Sequence, residues 1–242
     1  MKISIIIPSY NLGRYIKRTI DSVIDQDYEN KELIVIDGGS RDETVDILKS
    51  YGDKIFWISE KDKGQSDAIN KGFKIATGDV VAWINADDYY EPNILSKVAE
   101  EFSKNKGEIS ILYGKCNSVS DTSTLVNTPP ENISSHKLIN SGNLIYQPSS
   151  FYDLDLVRKV GYLDDSLEYW MEYDLYIKLI KEKPSKYIDL VLSNFMVRED
   201  QKSNSKNKSD MDKELILISK RHGGGKIFSK IYIKNLLNKF KQ

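Results

Sequence analysis

One cysteine in 242 residues, Cys116, excludes an intrachain disulfide and any cysteine-rich zinc site. It reads as a packed residue rather than a nucleophile. Only two histidines are present, His136 and His222, each in polar surroundings without a recognisable partner. Hydrolytic triads and histidine-rich metal sites are disfavoured on that count. With 35 Lys+Arg against 36 Asp+Glu the net charge is −1, so no basic footprint argues for nucleic acid. No glycine-rich P-loop is present, which disfavours phosphoryl transfer from a nucleoside triphosphate. No apolar run approaches the length of a membrane-spanning helix. The apolar start of MKISIIIPSY is too short, and too soon broken by Pro8, to read as a signal peptide. What is there, 40% hydrophobic and 29% charged residues, is enough for a sizeable core. The main body is expected to be soluble and cytoplasmic.

Short apolar runs rich in β-branched residues alternate with helical periodicity over the first 110 positions. Ile3–Ile7, Leu33–Ile36, Ile55–Ile58 and Val80–Ile84 read as strands. Between them, Tyr15, Ile16, Thr19, Ile20, Val23 and Ile24 recur at helical spacing. Further helices are expected over Arg41–Ser50, over Ser66–Ala76 with Thr77-Gly78 as C-cap, and near Asn93–Ser103. Ser40-x-x-Glu43 has the form of a capping box. Strands alternating with helices predict an α/β fold, a Rossmann-like and mostly parallel sheet covered on both faces. After Ser110 the pattern turns to α+β. Ser118–Lys137, with Pro129-Pro130, reads as a long loop, Leu144–Tyr152 as extended and Tyr173–Lys183 as helix. Tyr187–Leu192 and Asn194–Val197 follow as extended segments, then a polar low-complexity loop over Gln201–Asp210.

Polar residues gather where these strands end, at the edge where open α/β sheets bind ligands. VVAWINADDYYEP breaks from strand into Asn85, Ala86, Asp87 and Asp88. Adjacent carboxylates are hard oxygen ligands suited to magnesium or manganese, with phosphate oxygens completing the shell. Equally, they could only pre-charge the next helix. Asp37 leaves its strand before Gly38-Gly39, and Pro8, Ser9, Tyr10 and Asn11 leave theirs at the same edge. Asp37 could accept a hydrogen bond from a base or ribose, or be a turn aspartate.

IIIPSYN, IVIDGGSRDET, GQSDAINKGFKIATGDVVAWINADD and LDDSLEYWMEYDLYIKL together resemble, in order and spacing, the inverting family-two nucleotide-sugar glycosyltransferases. The resemblance spans roughly Ile3 to Ser203. It implies the type-A glycosyltransferase fold, a parallel nucleotide-binding sheet joined to a mixed α+β acceptor-binding region. It implies that Pro8–Asn11 and Asp37 line the nucleoside pocket, with Asp67 near the nucleotide. Asn85-Ala86-Asp87 occupies the family's Asp-x-Asp metal motif. Asn85 replaces its first Asp, so the metal role falls on Asp87 with Asp88 in support. Glu172 stands where the family places its catalytic base, usually an Asp; Asp174 is its rival, and residues two apart on a helix do not share a face. Gln147–Phe151 resembles the acceptor side, and Arg198 with residues 199–203 a loop over the diphosphate, without the histidine many relatives carry there.

The implied activity is inverting transfer of a sugar from a nucleotide-diphosphate donor to a saccharide or lipid-linked acceptor, in bacterial surface polysaccharide synthesis. Its implied cofactor is a divalent metal, manganese or magnesium. The departures at Asn85 and Glu172 also suit a weakened homologue that binds nucleotide sugar or a partner enzyme. A sugar nucleotidyltransferase would carry a glycine-rich basic loop after the first strand, which IIIPSYNLGRY does not resemble. The expected organisation is a glycosyltransferase domain over 1–210, split near 113 into nucleotide-sugar and acceptor parts, and a helical basic tail over 211–242. From Ser219 to Gln242 the tail carries seven Lys/Arg and no acid. A stripe of Lys226, Lys230, Lys234 and Lys241 beside Ile227, Phe228, Ile231 and Tyr232 suits peripheral contact with an anionic membrane, or packing on the domain.

Overall fold

The computed structural model describes residues 1–105, 107–198 and 208–225. Its strands are β1 (Ile3–Ser9), β2 (Lys31–Asp37), β3 (Phe56–Ser59), β4 (Val80–Trp83), β5 (Tyr89–Tyr90), β6 (Ile111–Val119), β7 (Thr124–Asn127), β8 (Ser150–Asp153) and β9 (Ser185–Met196). Its α-helices are α1 (Gly13–Ile24), α2 (Thr44–Ser50), α3 (Gln65–Ile75), α4 (Leu95–Lys104), α5 (Ser135–Ser141), α6 (Leu154–Lys159), α7 (Met171–Glu182) and α8 (Lys208–Arg221).

The strands form one sheet in the order β3-β2-β1-β4-β8-β6-β9-β5, with β7 added to β6. Successive side chains of a strand point to opposite faces, and β1 uses both. Ile6 packs with α3, α6 and α7 on one face, while Ile3, Ile5 and Ile7 pack with α1, α2 and α4 on the other. That double burial explains why Ile5, Ile6 and Ile7 follow one another in β1 without alternation. Each such isoleucine contributes roughly 2 kcal/mol through lost apolar exposure.

β1, β2, β3 and β4 pair in parallel, so their C-terminal ends share one edge. β8 enters antiparallel to β4 and β6, whereas β9 runs parallel to β6 and antiparallel to β5. A parallel sheet joined to a mixed region is therefore present, as expected. Within the mixed region, the pairing of β6 with β9 shifts register between Tyr113 and Cys116. Gly114 sits at that irregularity, where an added Cβ would lie 2.7 Å from the Leu190 carbonyl oxygen.

Several local expectations give way to the structure. Ser118–Lys137 is not one loop: it holds the end of β6, all of β7 and the start of α5. Thr77-Gly78 does not cap α3, whose C-cap is Ala76. Gly78 is instead needed for close approach, since a Cβ would meet Ser4 Oγ at 2.6 Å. The capping box at Ser40 and Glu43 does not form. Glu43 is itself the N-cap residue of α2, and Ser40 Oγ donates to Asp37 while accepting from the Asn11 amide. α8 begins at Lys208, so the boundary expected at 210/211 falls inside a helix that packs on the domain through the buried Ile218. The Lys226–Lys241 stripe and residues 199–207 lie outside the described residues. Among the described residues no helix is long and apolar enough to cross a membrane.

Candidate active site

A cleft of about 1110 Å³ opens where β1 and β4 end, and the first turn of α7 also lines it. From β1 it receives Pro8, Ser9 and Tyr10. Ser9 Oγ is buried and meets no hydrogen-bonding partner among the described residues. A buried hydroxyl left unsatisfied is costly, and this one lies behind the cleft surface rather than facing into it.

The exit of β4 delivers Asn85, Ala86 and Asp87 to the same cleft. Helix α1 fixes this loop from beneath. Thr19 Oγ1 donates in bifurcated fashion to the Ala86 and Asp88 carbonyls, at 2.8 and 2.6 Å, and Arg18 Nη2 reaches the Asp87 carbonyl at 3.3 Å. Asp87 pairs through Oδ2 with Arg198 Nη2 at 2.8 Å. The Arg198 guanidinium also lies 4.7 Å from the Tyr15 ring centroid, within cation–π range. Gln65 donates to Asn85 Oδ1 at 2.8 Å.

Asp88, expected to support a metal beside Asp87, is not among the residues that line the cleft. It is fully buried, its Oδ1 accepts the Met196 N–H at 2.9 Å, and its Oδ2 accepts from Asn85 Nδ2 at 3.3 Å. Burial first, then the Asp87 charge, push its carboxyl well above the usual range. Asp88 thus splices the β4 exit to β9. Three other expected ligand contacts also sit off the cleft lining. Asp37 is buried and accepts from the Gly39 and Ser40 amides and from the Ser40 and Ser59 hydroxyls, which shapes the turn. Asn11, at φ 52°, ties that turn to β1 through Arg41 N. Asp67 caps the Lys63 amide at 3.1 Å and pairs with Lys71.

Across the cleft, Glu172 occupies the first turn of α7. Asn143 Nδ2 donates to its Oε1 at 3.2 Å. Burial raises its carboxyl to about 7, with the negative charge of Glu214 adding to the rise. Asp174, its rival, lies outside the cleft. Two residues on, it points to another face of α7 and is fully buried. His222 Nε2 meets its Oδ1 at 2.8 Å, Lys178 Nζ its Oδ2 at 2.6 Å, and Arg221 approaches at 3.5 Å. Burial alone would raise this carboxyl, but the hydrogen bonds and charges of His222 and Lys178 prevail and hold it at about 2. His222 therefore has a partner that its sequence neighbourhood did not reveal.

A carboxyl held below its unfolded value stabilises the fold above about pH 4 and loses that contribution as pH falls towards 2. Asp174→Asn is accordingly expected to cost about 3 kcal/mol near neutral pH, as for breaking a buried ion pair. Urea unfolding of the variant would measure this, and nucleotide affinity of the folded variant should be unchanged. A variant of normal stability that no longer binds nucleotide would return Asp174 to the site.

Sequence reasoning assigned no role to Arg18, Thr19, Asn143, Tyr169 or Trp170, nor to Met211 on α8, which also lines the cleft. Gln147, flagged as acceptor-side, lines it and donates to the Trp83 carbonyl at 2.8 Å. Cys116 touches the cleft, but burial pushes its thiol up, away from the thiolate form.

The sequence model for glycosyl transferase family 2 matches residues 4–149, which carry β1 to β4 and the Asn85–Asp88 loop. The chain belongs to glycosyltransferase family 2. Within this family, an uncharacterised glycosyltransferase of Rickettsia typhi is 32% identical over 210 residues, covering 84% of this chain and 66% of that protein. The chain thus spans just under two thirds of that relative's length. Two solved structures share the fold. S. aureus TarS 1–349 in complex with UDP-GlcNAc superimposes with a TM-score of 0.73 at 20% identity, over 100% of this chain and 73% of that one. A mannosyltransferase from Pyrobaculum calidifontis in complex with GDP-Man and Mn2+ gives 0.66 at 14% identity, over 97% and 68%. The family match ends before α7, so Glu172 and α8 lie outside it.

Proposed function

We propose that this family-2 glycosyltransferase inverts the anomeric centre as it moves a sugar from a nucleotide-diphosphate donor to a hydroxyl of a saccharide or lipid-linked acceptor, in bacterial surface polysaccharide synthesis. One observation carries the reading. A single cleft is lined both by Asp87, after the end of a parallel strand, and by Glu172, in the first turn of α7.

The donor's diphosphate belongs beside Asp87 and Arg198, where the guanidinium suits phosphate oxygens. Pro8, Ser9 and Tyr10, which line the cleft at the end of β1, then meet the nucleoside. Asp87 fits a magnesium or manganese ion, since its carboxylate faces the cleft and already attracts a cation in Arg198. Among the described residues no three acidic, His or Cys groups gather to hold a metal unaided. The diphosphate and water would therefore share the coordination with Asp87, as hard cations allow. A cation so bound supplies positive charge for the departing diphosphate. Glu172, with its carboxyl held near 7, accepts the proton of the acceptor hydroxyl. The acceptor oxygen attacks the anomeric carbon opposite the diphosphate, the old carbon–oxygen bond breaks, and the configuration inverts.

The test is a panel of nucleotide sugars with and without manganese, read by melting temperature and by donor hydrolysis. At least one should stabilise the protein and be hydrolysed in a manganese-dependent way. A panel without any stabilising member would remove the proposal.

A further inference from the structure

Helix α8 lies beyond the residues matched to the family, yet one of its side chains reaches the cleft's acceptor wall. Glu214 Oε2 accepts the Glu168 N–H at 2.8 Å, and its Oε1 accepts those of Tyr169 at 2.8 Å and Trp170 at 2.6 Å. These are the three amides immediately ahead of α7, which starts at Met171. Amides at a helix start lack intrahelical acceptors, and a carboxylate there is further favoured by the helix dipole. Serving three N–H groups at once calls for an acceptor-only group with several lone pairs, which an ionised Glu is and Gln is not. A second tie runs alongside, from the Trp170 indole N–H to the Met211 carbonyl of α8 at 2.9 Å.

The segment so held is the functional wall. Glu168, Tyr169, Trp170 and Glu172 all line the cleft, and Met211 lines it from α8. The far end of α8 is bolted separately. His222 and Arg221 engage Asp174, Arg221 pairs with Asp164 at 2.6 Å, and Ser219 Oγ donates to the Ile139 carbonyl at 2.7 Å. Glu214 is thus presented by a helix that does not depend on it alone.

We propose that Glu214 is a positioning residue for sugar transfer, fixing the acceptor wall Glu168–Trp170 and, through the start of α7, the base Glu172. This rests on the assignment of Glu172 made above. The groups facing Glu172 are Asn143 after α5, Tyr152 on β8, Tyr176 one turn along α7, and Glu214 on α8, the last with a negative charge. Glu214 therefore acts on the base in two ways, by geometry and by charge, and these separate experimentally.

Glu214→Gln removes the charge and one acceptor atom. Glu214→Asp keeps the charge and shortens the reach. In protein carrying carbon-13 glutamate, with the Glu172 signal assigned by its absence from Glu172→Gln, the Gln variant should titrate Glu172 lower by roughly half a pH unit. The Asp variant should leave that titration in place. Both should raise acceptor KM by about tenfold through the loosened wall, with donor affinity unchanged. Faster amide exchange at 168–170 would confirm that the contact was lost. A Gln variant that only melts earlier, with Glu172 titration and acceptor KM unmoved, would make Glu214 an ordinary helix cap and overturn the proposal. If the parent protein is active, that failure belongs to Glu214 alone. A parent that transfers no sugar would overturn the enzyme reading, and this role with it.

Discussion

Glu172→Gln is expected to lower sugar transfer by roughly two to four orders of magnitude, the usual worth of a positioned general base. The amide keeps the side chain's shape and can still meet Asn143, but it cannot accept the acceptor's proton. Donor and manganese affinity should barely change, because the contacts proposed for them are on β1 and the β4 exit and not on α7. The ionisation adds a second signature. The parent carboxyl is raised to about 7 by burial and by Glu214. A base must be ionised to work, so parent turnover should rise with pH through about 7 and then level. The residual turnover of Glu172→Gln should lack that limb. Steady-state kinetics from pH 5 to about 9, the range that brackets the limb, reads both effects. Near-normal transfer by the variant would remove Glu172 as base.

The parts of this protein legible in its sequence are those whose signal is local. β1 and β4 announce themselves as buried strands because both faces of the sheet are covered, and the break from Trp83 into Asn85–Asp88 marks the ligand edge. The motif register put Asp87 ahead of Asp88, but what holds Asp88 away from the cleft was not legible. It depends on the Met196 amide 108 residues away, which draws Asp88 inward. The same holds for Asp174, whose partner His222 lies 48 residues on, and for Glu214, which caps amides 44 to 46 residues earlier. Such contacts leave no periodicity in the chain. β7 failed for a different reason. Leu125 and Val126 are 64% and 52% exposed, and among the described residues the strand pairs only with β6, so turn-forming neighbours masked it. The apparent capping box failed because Asp37 competes for the Ser40 hydroxyl.

Asp87→Ala is expected to abolish the metal-dependent part of donor binding, lowering nucleoside diphosphate affinity in manganese by about a hundredfold or more, since several kcal/mol of charge stabilisation are at stake. The loop itself should survive. Its backbone is held by Thr19 and Arg18 through carbonyl oxygens that the substitution leaves in place. The contrast with Asp88 makes the test specific. Asp88→Asn removes a buried carboxyl that accepts from both Met196 and Asn85, and an amide would turn a donor towards one of them. That variant should lose stability while manganese still strengthens nucleotide binding. Calorimetric titration of a nucleoside diphosphate with and without manganese, beside urea unfolding of both variants, separates the two effects. If manganese dependence survives in Asp87→Ala and vanishes in a folded Asp88→Asn, the buried carboxyl must turn outward to take the cation. The β4–β9 splice would then have to open each time donor binds.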